Sequence, residues 1–374
     1  MSAPRVLVVG GGVTGTSAAI ALSRQGFPVR LAEREPVFRP LGSGITLLGP
    51  ALRALSRLGV LEACLEVGAP IQEIVTTDLE GEFVGAIPLG AMAGVDAPGM
   101  LGMMRPALQD ILAAAAAEAG VEISLGTEVA SAEPDGDGAV VQTADGARER
   151  FDVVVLADGW RSHTRDALFG PANPTFRHQA VFRAVVPKSP DIVTGYLFHG
   201  HEHVHSGMTP TGPETAYMFC LVAVDTRERP PQERLPELMR EHLRDFGGLA
   251  AELRDAIGGP RTVDYRPLEA LLVPAPWHRG RVVVAGDAAH VTTPHLAAGG
   301  AMCLEDALVL AEELGRGGSV DDGLRRFGER RFERCRYVVE TSVYLSDGQM
   351  RSDTDAEEHN SRYREAVGVL AREY

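Results

Sequence analysis

A glycine-rich turn between a buried strand and a helix constrains the fold of this chain more than any other feature. The run Val6–Val9 is entirely apolar, and Gly10-Gly11-Gly12-Val13-Thr14-Gly15 follows it directly. Gly10 allows a sharp turn, Gly12 lets the backbone approach a pyrophosphate, and Gly15 lets the helix pack against the strand. The N-terminus of the helix adds unpaired N–H groups and a partial positive charge. The segment predicts a dinucleotide-binding βαβ unit.

An acidic residue narrows the choice of dinucleotide. Glu33 closes the second strand of the unit, Val29–Glu33, where a carboxylate accepts hydrogen bonds from the adenosine ribose hydroxyls. An acid at that position disfavours a 2′-phosphate, so we expect FAD or NAD rather than NADP as the tightly held ligand. Val13, Thr14 and Arg34 belong to the same predicted binding site.

A later strand end distinguishes FAD from NAD. Val282-Val283-Val284-Ala285 is typical of a buried strand, and Gly286-Asp287-Ala288-Ala289-His290 follows it. Asp287 can accept a hydrogen bond from a ribityl hydroxyl. The next helix begins near Gly299-Gly300, where glycines let a flavin ring approach the backbone and the helix N-terminus stabilises a reduced flavin. A ligand that contacts both of these distant segments must be long, which favours FAD. The alternative to a flavin site is an ordinary glycine–aspartate turn followed by a helix cap.

The periodicity of the rest predicts an α/β fold: a Rossmann-type FAD-binding domain with an inserted β-rich substrate domain and a helical C-terminal tail. Residues 1–176 are the first part of the FAD-binding domain, and residues 271–320 are its second part. Residues 177–270 are the β-rich substrate-binding domain. Residues 321–374 are the helical C-terminal segment. Predicted helices include Thr14–Gln25, Gly49–Leu61, Pro106–Ala119, Leu235–Asp245 and Gly300–Leu314, and predicted strands in the insert are Ala180–Val186, His203–Pro210 and Ala216–Val224.

Composition limits the partners. The net charge of −15 argues against nucleic acid or an anionic membrane as a main partner. Apolar runs are far shorter than a membrane span, and no charged-then-apolar signal segment opens the chain. We therefore expect a cytoplasmic protein, a monomer or homodimer, that acts on a small molecule. We expect no metal at the cysteines, because they are scattered without metal-binding spacing, at Cys64, Cys220, Cys303 and Cys335.

With these segments placed, the chain resembles the single-component (class A) FAD-dependent monooxygenases, typified by para-hydroxybenzoate hydroxylase and including salicylate- and urate-hydroxylase-like enzymes. The residues that carry the resemblance span most of the chain in the family's order. They are Gly10–Gly15 with Glu33, Arg105 in Arg105-Pro106-Ala107-Leu108, Ala157-Asp158-Gly159 with Ser162 and Arg165, and Gly286–His290 through Pro294, Gly299 and Asp306.

The resemblance implies roles for several of these residues. Arg105 is expected to contact the flavin, Asp158 to serve both FAD and the nicotinamide cofactor, and Pro294 to lie beside the flavin ring. The implied cofactor site also includes Gly44, Val129, Gly300 and Ala301. Family members often have glycine and asparagine where this chain has Ala297 and Ala301, so no polar side-chain contact is expected at position 301.

The resemblance also implies the reaction. NADH or NADPH, docking transiently, reduces FAD; O₂ is captured as a flavin hydroperoxide, and its distal oxygen hydroxylates or epoxidises an aromatic or conjugated small molecule. A second GxGxxG after a strand is absent from the sequence, which is compatible with transient docking. Two alternatives remain open: an FAD-dependent dehydrogenase or reductase of similar fold without oxygen insertion, and a non-catalytic flavin-binding module.

Histidines are the candidates for proton transfer. His199, His201, His203 and His205 alternate, so they would share one face of a strand. A partly solvated strand, a pocket that uses imidazole as acid or base, and a metal site all remain open. His203, His205 and His295, which follows Pro294, are the predicted catalytic residues. Arg183 either faces a substrate carboxylate or is an exposed strand residue.

Overall fold

The computed structural model describes residues 3–38, 44–90, 95–200, 204–259, 262–351 and 354–374. Strands and helices are numbered in chain order. The strands are β1 (Val6–Val9), β2 (Val29–Glu33), β3 (Gly44–Leu48), β4 (Ala69–Ile71), β5 (Glu73–Thr77), β6 (Phe83–Pro88), β7 (Met100–Met104), β8 (Glu122–Leu125), β9 (Val129–Asp135), β10 (Gly138–Thr143), β11 (Arg148–Phe151), β12 (Val153–Leu156), β13 (Thr175–Pro187), β14 (Gly195–Phe198), β15 (Val204–Pro210), β16 (Thr215–Ala223), β17 (Val263–Leu272), β18 (His278–Arg279), β19 (Val282–Val284) and β20 (His290–Val291). The helices are α1 (Val13–Arg24), α2 (Gly49–Arg57), α3 (Leu61–Val67), α4 (Arg105–Glu118), α5 (His163–Phe169), α6 (Leu235–His242), α7 (Gly248–Asp255), α8 (Gly299–Gly315), α9 (Val320–Gln349) and α10 (Ala356–Ala371).

A mainly parallel sheet of six strands forms the centre of one half of the molecule. Its strand order is β18-β19-β12-β1-β2-β8, and every pair from β19 to β8 is parallel. Helix α1 packs on β1 and β2 and against both α4 and α8, and strands β9 and β10 contact β19 and β12. Because elements cover both faces, β1, β12 and β19 consist of buried apolar residues without alternation. The predicted Rossmann-type core is confirmed.

An eight-stranded sheet dominates the other half of the molecule, in the order β20-β17-β13-β16-β15-β14-β5-β6. One face is covered by α6 and α7 through a cluster that includes Phe182, Met218, Leu235 and Met239. Alternation along the strands places Arg183 and Tyr217 on the opposite face. The strand-rich insert and the C-terminal helices are therefore present, as predicted.

Strand pairing departs from the predicted division at residue 176. Strands β5 and β6 lie within 1–176, yet they extend the eight-stranded sheet, because β5 pairs in parallel with β14. This long-range pairing leaves no local trace in the sequence. The predicted helix Gly49–Leu61 is also wrong in extent, since α2 ends at Arg57 and α3 begins at Leu61, with Gly59 between them.

The C-terminal segment consists of two helices that pack back on the rest of the chain. The Ser319 side chain caps α9 by accepting from the Asp322 backbone N–H, and the Asp355 side chain caps α10 by accepting from the N–H groups of Glu357 and Glu358. Helix α9 packs on α8, and α10 packs on α9 and α2. Within the described ranges, no helix combines the length and the apolar character that crossing a membrane requires.

Candidate active site

The segments singled out in the sequence meet at one edge of the parallel sheet. Because β19, β12, β1 and β2 are adjacent and parallel, their carboxyl ends lie side by side. Asp287 follows β19, Asp158 follows β12, the glycine turn follows β1, and Glu33 ends β2. Ligands of open α/β sheets bind at this edge.

The glycine turn leaves a cradle above the N-terminus of α1. Gly10 has φ +102°, and a side chain there would overlap the carbonyl of Ala157. A Cβ on Gly15 would overlap the carbonyl oxygen of Gly10, so α1 packs directly on the turn. A Cβ on Gly12 would meet nothing within 4 Å, and Gly12 provides no side-chain cap for α1. The first N–H groups of α1, from Val13 onwards, thus border open space suited to a phosphate.

Two side chains brace this turn. The Gly11 N–H donates to Glu33 Oε2 at 2.6 Å, and the Glu35 N–H donates to Glu33 Oε1 at 2.9 Å. Each carboxylate oxygen keeps a lone pair for a ribose hydroxyl. Gln109 Nε2 donates to the Gly11 carbonyl at 2.8 Å and to Thr16 Oγ1 at 3.1 Å.

Sequence reasoning missed Gln109. The only available signal is its position one turn after Arg105 on α4, which puts both side chains on the same face. Arg34 and Val129, which the sequence also predicts for the cofactor site, lie away from the turn's hydrogen bonds described above. The Arg34 side chain is 69% exposed and pairs with Glu35 at 3.7 Å. The Val129 side chain is in the core, and its carbonyl oxygen lies 3.3 Å from His163 Nε2.

The two aspartates at the sheet edge retain acceptor capacity. Asp158 Oδ2 accepts from Thr164 Oγ1 at 2.7 Å, whereas its buried Oδ1 has no hydrogen-bond partner among the described residues. Within the described part of the chain, the donor to Asp287 is Cys303, whose Sγ forms a weak bond to Oδ1 at 3.6 Å. A buried carboxylate oxygen without a donor is costly. The hydroxyl groups of a flavin dinucleotide are donors of the required kind, so the residues at this edge fit FAD.

The turn at Gly286 is tied to the glycine turn. Gly286 has φ +61°, and a side chain there would overlap Thr14 Oγ1 on α1. Burial, together with the nearby Asp287 carboxylate, raises the pKa of the Cys303 thiol well above its ordinary value, so Cys303 stays protonated. The two ends of the predicted ligand site are therefore in direct contact.

A charged cluster lies directly behind this turn. Ligand atoms of His290, Asp306 and Cys335 lie within 4.8 Å of one another, and all three residues are buried. Arg331 Nε donates to Asp306 Oδ1 at 2.7 Å, and an Arg331 NH2 group lies 3.5 Å from Cys335 Sγ. The guanidinium already supplies the cation of this cluster, which we therefore interpret as an ion-pair network rather than a metal site.

The N-terminus of α8 faces strand β3. A 3₁₀ turn, Pro294–Leu296, precedes the helix and ends at Ala297, which is left-handed with φ +47°. A Cβ on Gly299 would have Thr292 as its nearest neighbour at 3.6 Å, and one on Gly300 would lie 3.4 Å from Ile45. The side chain of Ala301 is 3% exposed and lies in the core.

The predicted catalytic histidines differ in position. His295 Nδ1 lies 3.0 Å from Thr293 Oγ1 and its Nε2 lies 2.6 Å from Gln349 Oε1, so protein groups engage both ring nitrogens. Burial lowers the pKa of His295 to about 4. These contacts fix the orientation of the His295 ring, and its proton-transfer role stays a prediction. His205 lies near enough for its charge to act on His295.

Two of the alternating histidines, His199 and His205, do not lie on one strand. Strand β14 ends at Phe198 and β15 begins at Val204, so His199 and His205 belong to different parts of a hairpin. His201 and His203 lie outside the described residues. Burial lowers the pKa of His199.

The face of the eight-stranded sheet opposite α6 and α7 carries a positively charged group of side chains. Arg183 Nε donates to the Tyr217 hydroxyl at 3.0 Å, and Arg105 Nε donates to the Gly44 carbonyl at 3.3 Å. Burial and the neighbouring Arg183 lower the pKa of Arg105, and burial also lowers that of Arg266, which lies within electrostatic reach of Asp287 and Arg183.

Apolar side chains complete this wall. Val181, Leu221 and Leu268 form a separate buried cluster with Phe219 packed against it. They share this face with Arg183, because residues two apart on a strand point to the same side. The wall thus combines an apolar patch with nearby cationic groups, which suits a flat ring with polar substituents.

Comparisons with known proteins place the chain among flavoproteins. The family model described as "FAD binding domain" matches residues 4–342. The aurachin C monooxygenase/isomerase of Stigmatella aurantiaca is 31% identical over 352 residues, which cover 91% of this chain and 88% of that protein. The 2-heptyl-3-hydroxy-4(1H)-quinolone synthase of Pseudomonas aeruginosa is 32% identical, covering 82% of this chain and 79% of that protein. The crystal structure of Klebsiella pneumoniae HpxO with FAD and uric acid has a TM-score of 0.85 at 22% identity, covering 98% of this chain and 96% of that one.

Proposed function

This chain belongs to the FAD-binding-domain family of class A FAD-dependent monooxygenases, and we propose that it uses NAD(P)H and O₂, through a flavin hydroperoxide, to hydroxylate or epoxidise an aromatic or conjugated small molecule. The observation that carries this proposal is the meeting of the glycine turn, Asp158 and Asp287 at one edge of the parallel sheet. The wall that bears Arg183 and Phe219 provides the substrate side.

Each part of the edge has a proposed task in holding FAD. The N-terminus of α1 binds the pyrophosphate, Glu33 accepts from the ribose hydroxyls, and Asp287 accepts from a ribityl hydroxyl. The N-terminus of α8 stabilises negative charge on the flavin ring. The proposed cofactor residues are Gly10, Gly12, Val13, Thr14, Gly15, Glu33, Arg34, Gly44, Arg105, Val129, Asp158, Gly286, Asp287, Pro294, Gly299, Gly300 and Ala301, with Arg34 and Val129 the least supported by their positions.

When bound, FAD supplies the electron transfer and the activation of oxygen. The residues of this chain bind and orient the two reactants and limit the access of water. Arg183, held by Tyr217, faces the region where a ring would lie against Phe219 and Leu268. Two acids near Arg266, namely Asp264 and Glu269, are paired with other arginines, so the wall keeps a positive character.

The relatives support a ring-shaped substrate. One is named for making a quinolone, and the compared crystal structure holds uric acid; both compounds are flat nitrogen heterocycles. A compound of this kind would place its ring against the apolar patch and its oxygen atoms toward the arginines. We retain 1–176 with 271–320 as the cofactor unit, 177–270 as the substrate unit and 321–374 as the helical segment, with β5 and β6 added to the substrate-side sheet.

The test is a product analysis under ¹⁸O₂. Purified protein loaded with FAD is mixed with NADH or NADPH and a panel of phenols, aromatic acids and quinolones, and the products are analysed by mass spectrometry. Incorporation of one ¹⁸O atom supports the proposal. Substrate oxidation without added oxygen would favour the dehydrogenase alternative, and a flavin that neither nicotinamide bleaches with any compound would favour the non-catalytic module.

A further inference from the structure

Two neighbouring acids on α8 lie at the centre of a buried ion-pair network. Glu305 and Asp306 are both 0% exposed. Buried carboxylates are retained only where cations and hydrogen-bond donors surround them. Their hydrogen-bond partners come from elements far apart in the sequence. The network therefore links the positions of these elements to one another.

Asp306 faces the cofactor side of the network. Its Oδ2 accepts from the Gly286 backbone N–H and from His290 Nε2, both at 2.8 Å. Its Oδ1 accepts from Arg331 Nε at 2.7 Å. The Gly286 N–H belongs to the turn that presents Asp287, so Asp306 fixes the backbone of the proposed ribityl-binding turn.

Glu305 faces the opposite side. Its Oε2 accepts from Arg331 NH1 and from Arg334 Nε, both at 2.8 Å, and its Oε1 accepts from Arg334 NH2 at 2.8 Å. Arg331 thus bridges the two acids, and Arg334 binds Glu305 with two parallel hydrogen bonds.

The last turn of α10 completes the network. Arg334 NH1 donates to the Val369 carbonyl at 2.9 Å, and Arg334 NH2 donates to the Leu370 carbonyl at 3.0 Å. Arg53 donates to the carbonyls of Ala371 and Arg372 at 2.9 and 2.8 Å. The cations outnumber the two carboxylates, and the carbonyl groups at the C-terminal end of α10, which carry partial negative charge, supply the missing acceptors.

We propose that the last turn of α10 positions the Gly286–Asp287 turn for the flavin, with Arg334 and Glu305 as the positioning residues. An unbroken series of hydrogen bonds leads from the Val369 carbonyl through Arg334, Glu305, Arg331 and Asp306 to the Gly286 N–H. A displacement of α10 is therefore transmitted through these hydrogen bonds and moves the backbone of the Gly286–Asp287 turn. The inference rests on the proposed assignment of Asp287 to the FAD site.

The test compares Arg334→Gln with Arg334→Lys and with a matched control, Arg336→Gln. Arg336 lies on the same helix but is exposed, and it pairs with Glu333 and Glu340 of that helix. For each full-length protein we would measure the FAD dissociation constant, the flavin midpoint potential, and the melting temperature without FAD. The potential separates positioning from plain stability, because a loss of fold stability alone leaves the potential of the bound flavin unchanged.

We expect Arg334→Gln to weaken FAD binding by about ten-fold relative to Arg336→Gln, a typical coupling between linked sites. Its midpoint potential shifts away from that of Arg336→Gln, which also loses one cation, because a displaced Gly286–Asp287 turn changes the polar groups that surround the bound flavin. Arg334→Lys keeps the positive charge, so we expect its FAD affinity and its midpoint potential to lie between those of Arg334→Gln and the wild type. An affinity and a potential equal to those of Arg336→Gln, even with a lower melting temperature, would overturn the inference.

Two further variants allow the inference to be tested even if Arg334→Gln does not fold, and they test the assignment of Asp287 separately. If Arg334→Gln is not recovered folded, Arg53→Gln, which loosens the same turn of α10, is measured against the same control and judged by the same criteria. Asp287→Ala tests the site assignment itself: unchanged FAD affinity there refutes the assignment and this inference with it. Absence of oxygen insertion by the wild-type protein would refute the proposed reaction and leave these FAD measurements valid.

Discussion

His290 Nε2 lies 2.8 Å from Asp306 Oδ2, and the two side chains are 1% and 0% exposed. Burial opposes the ionised form of Asp306, but His290 and Arg331 outweigh it and lower the pKa of Asp306 from 3.8 to about 2. Burial likewise opposes a charged His290, yet Cys335 and Asp306 raise its pKa well above 6.5. The pair is therefore an ion pair near neutral pH.

This pair makes stability depend on pH in two windows. The contribution of Asp306 is present above about pH 4 and is lost as the pH falls toward 2, which amounts to roughly 2 kcal/mol. The contribution of His290 is present below pH 6.5 and is lost as the pH rises through its raised pKa. Urea unfolding of the FAD-free protein across pH checks both windows. His290→Gln should remove the alkaline loss; a wild-type curve that is flat above pH 6.5 would contradict the assignment.

Removal of the Asp287 carboxylate is expected to weaken FAD binding by roughly 1–3 kcal/mol, the cost of leaving a buried hydrogen-bonding group unpaired. The fold should tolerate Asp287→Ala, because the only protein donor described for this carboxylate is the weak one from Cys303. The dissociation constant is obtained by titrating FAD-free protein. Glu329→Ala, which alters an exposed pair with Arg325, is the control and should bind FAD like the wild type.

Two glycine variants separate folding from cofactor binding. In Gly15→Val the new side chain would overlap the Gly10 carbonyl oxygen, so α1 is pushed from the turn and FAD retention is lost. In Gly12→Ala the new methyl group meets no protein atom within 4 Å, but it occupies the space proposed for the pyrophosphate. We expect Gly12→Ala to melt like the wild type without FAD while binding FAD more weakly. A fully yellow, stable Gly15→Val protein would disprove the packing argument.

Replacement of Ala297 by glycine is expected to stabilise the protein by about 0.5 kcal/mol. Ala297 has φ +47°, where an L-residue is strained by about 1–2 kcal/mol, and glycine gives back about 0.5–1 kcal/mol through its greater freedom when unfolded. The neighbouring Ala298 has φ −96°, where alanine is not strained. Ala298→Gly therefore makes the unfolded chain more flexible without removing any backbone strain, and it should destabilise the protein. The midpoints of denaturant unfolding should therefore shift in opposite directions. A shared downward shift would show that the left-handed strain is absent.

The parts of the fold that the sequence predicted well are those set by neighbouring residues. The uniformly apolar runs of β1 and β19 and the glycines that follow them specify buried strands and tight turns within a few positions. The predicted strand Val29–Glu33 matches β2. The fold class and the family follow from these local signals and are confirmed.

The parts that escaped prediction depend on partners distant in sequence. Nothing in Glu73–Thr77 indicates that it pairs in parallel with Gly195–Phe198. The Arg334–Glu305 pair joins two helices whose charges are ordinary in a solvated helix, and only packing shows that Glu305 is buried. His295 was singled out for lying beside Pro294, but its neighbours Gln349 and Thr293 could not be seen from that spacing.

The parallel pairing of β5 with β14 limits how the substrate side could be exchanged between relatives. A transplant of 177–270 alone would pair Gly195–Phe198 with the recipient's own counterpart of β5, whose side chains differ from those of Glu73–Thr77. A chimaera that also carries Glu73–Pro88 keeps the native cross-strand neighbours. An exchange of the eight-stranded sheet that preserves its side-chain pairs must therefore move two separate stretches of gene together.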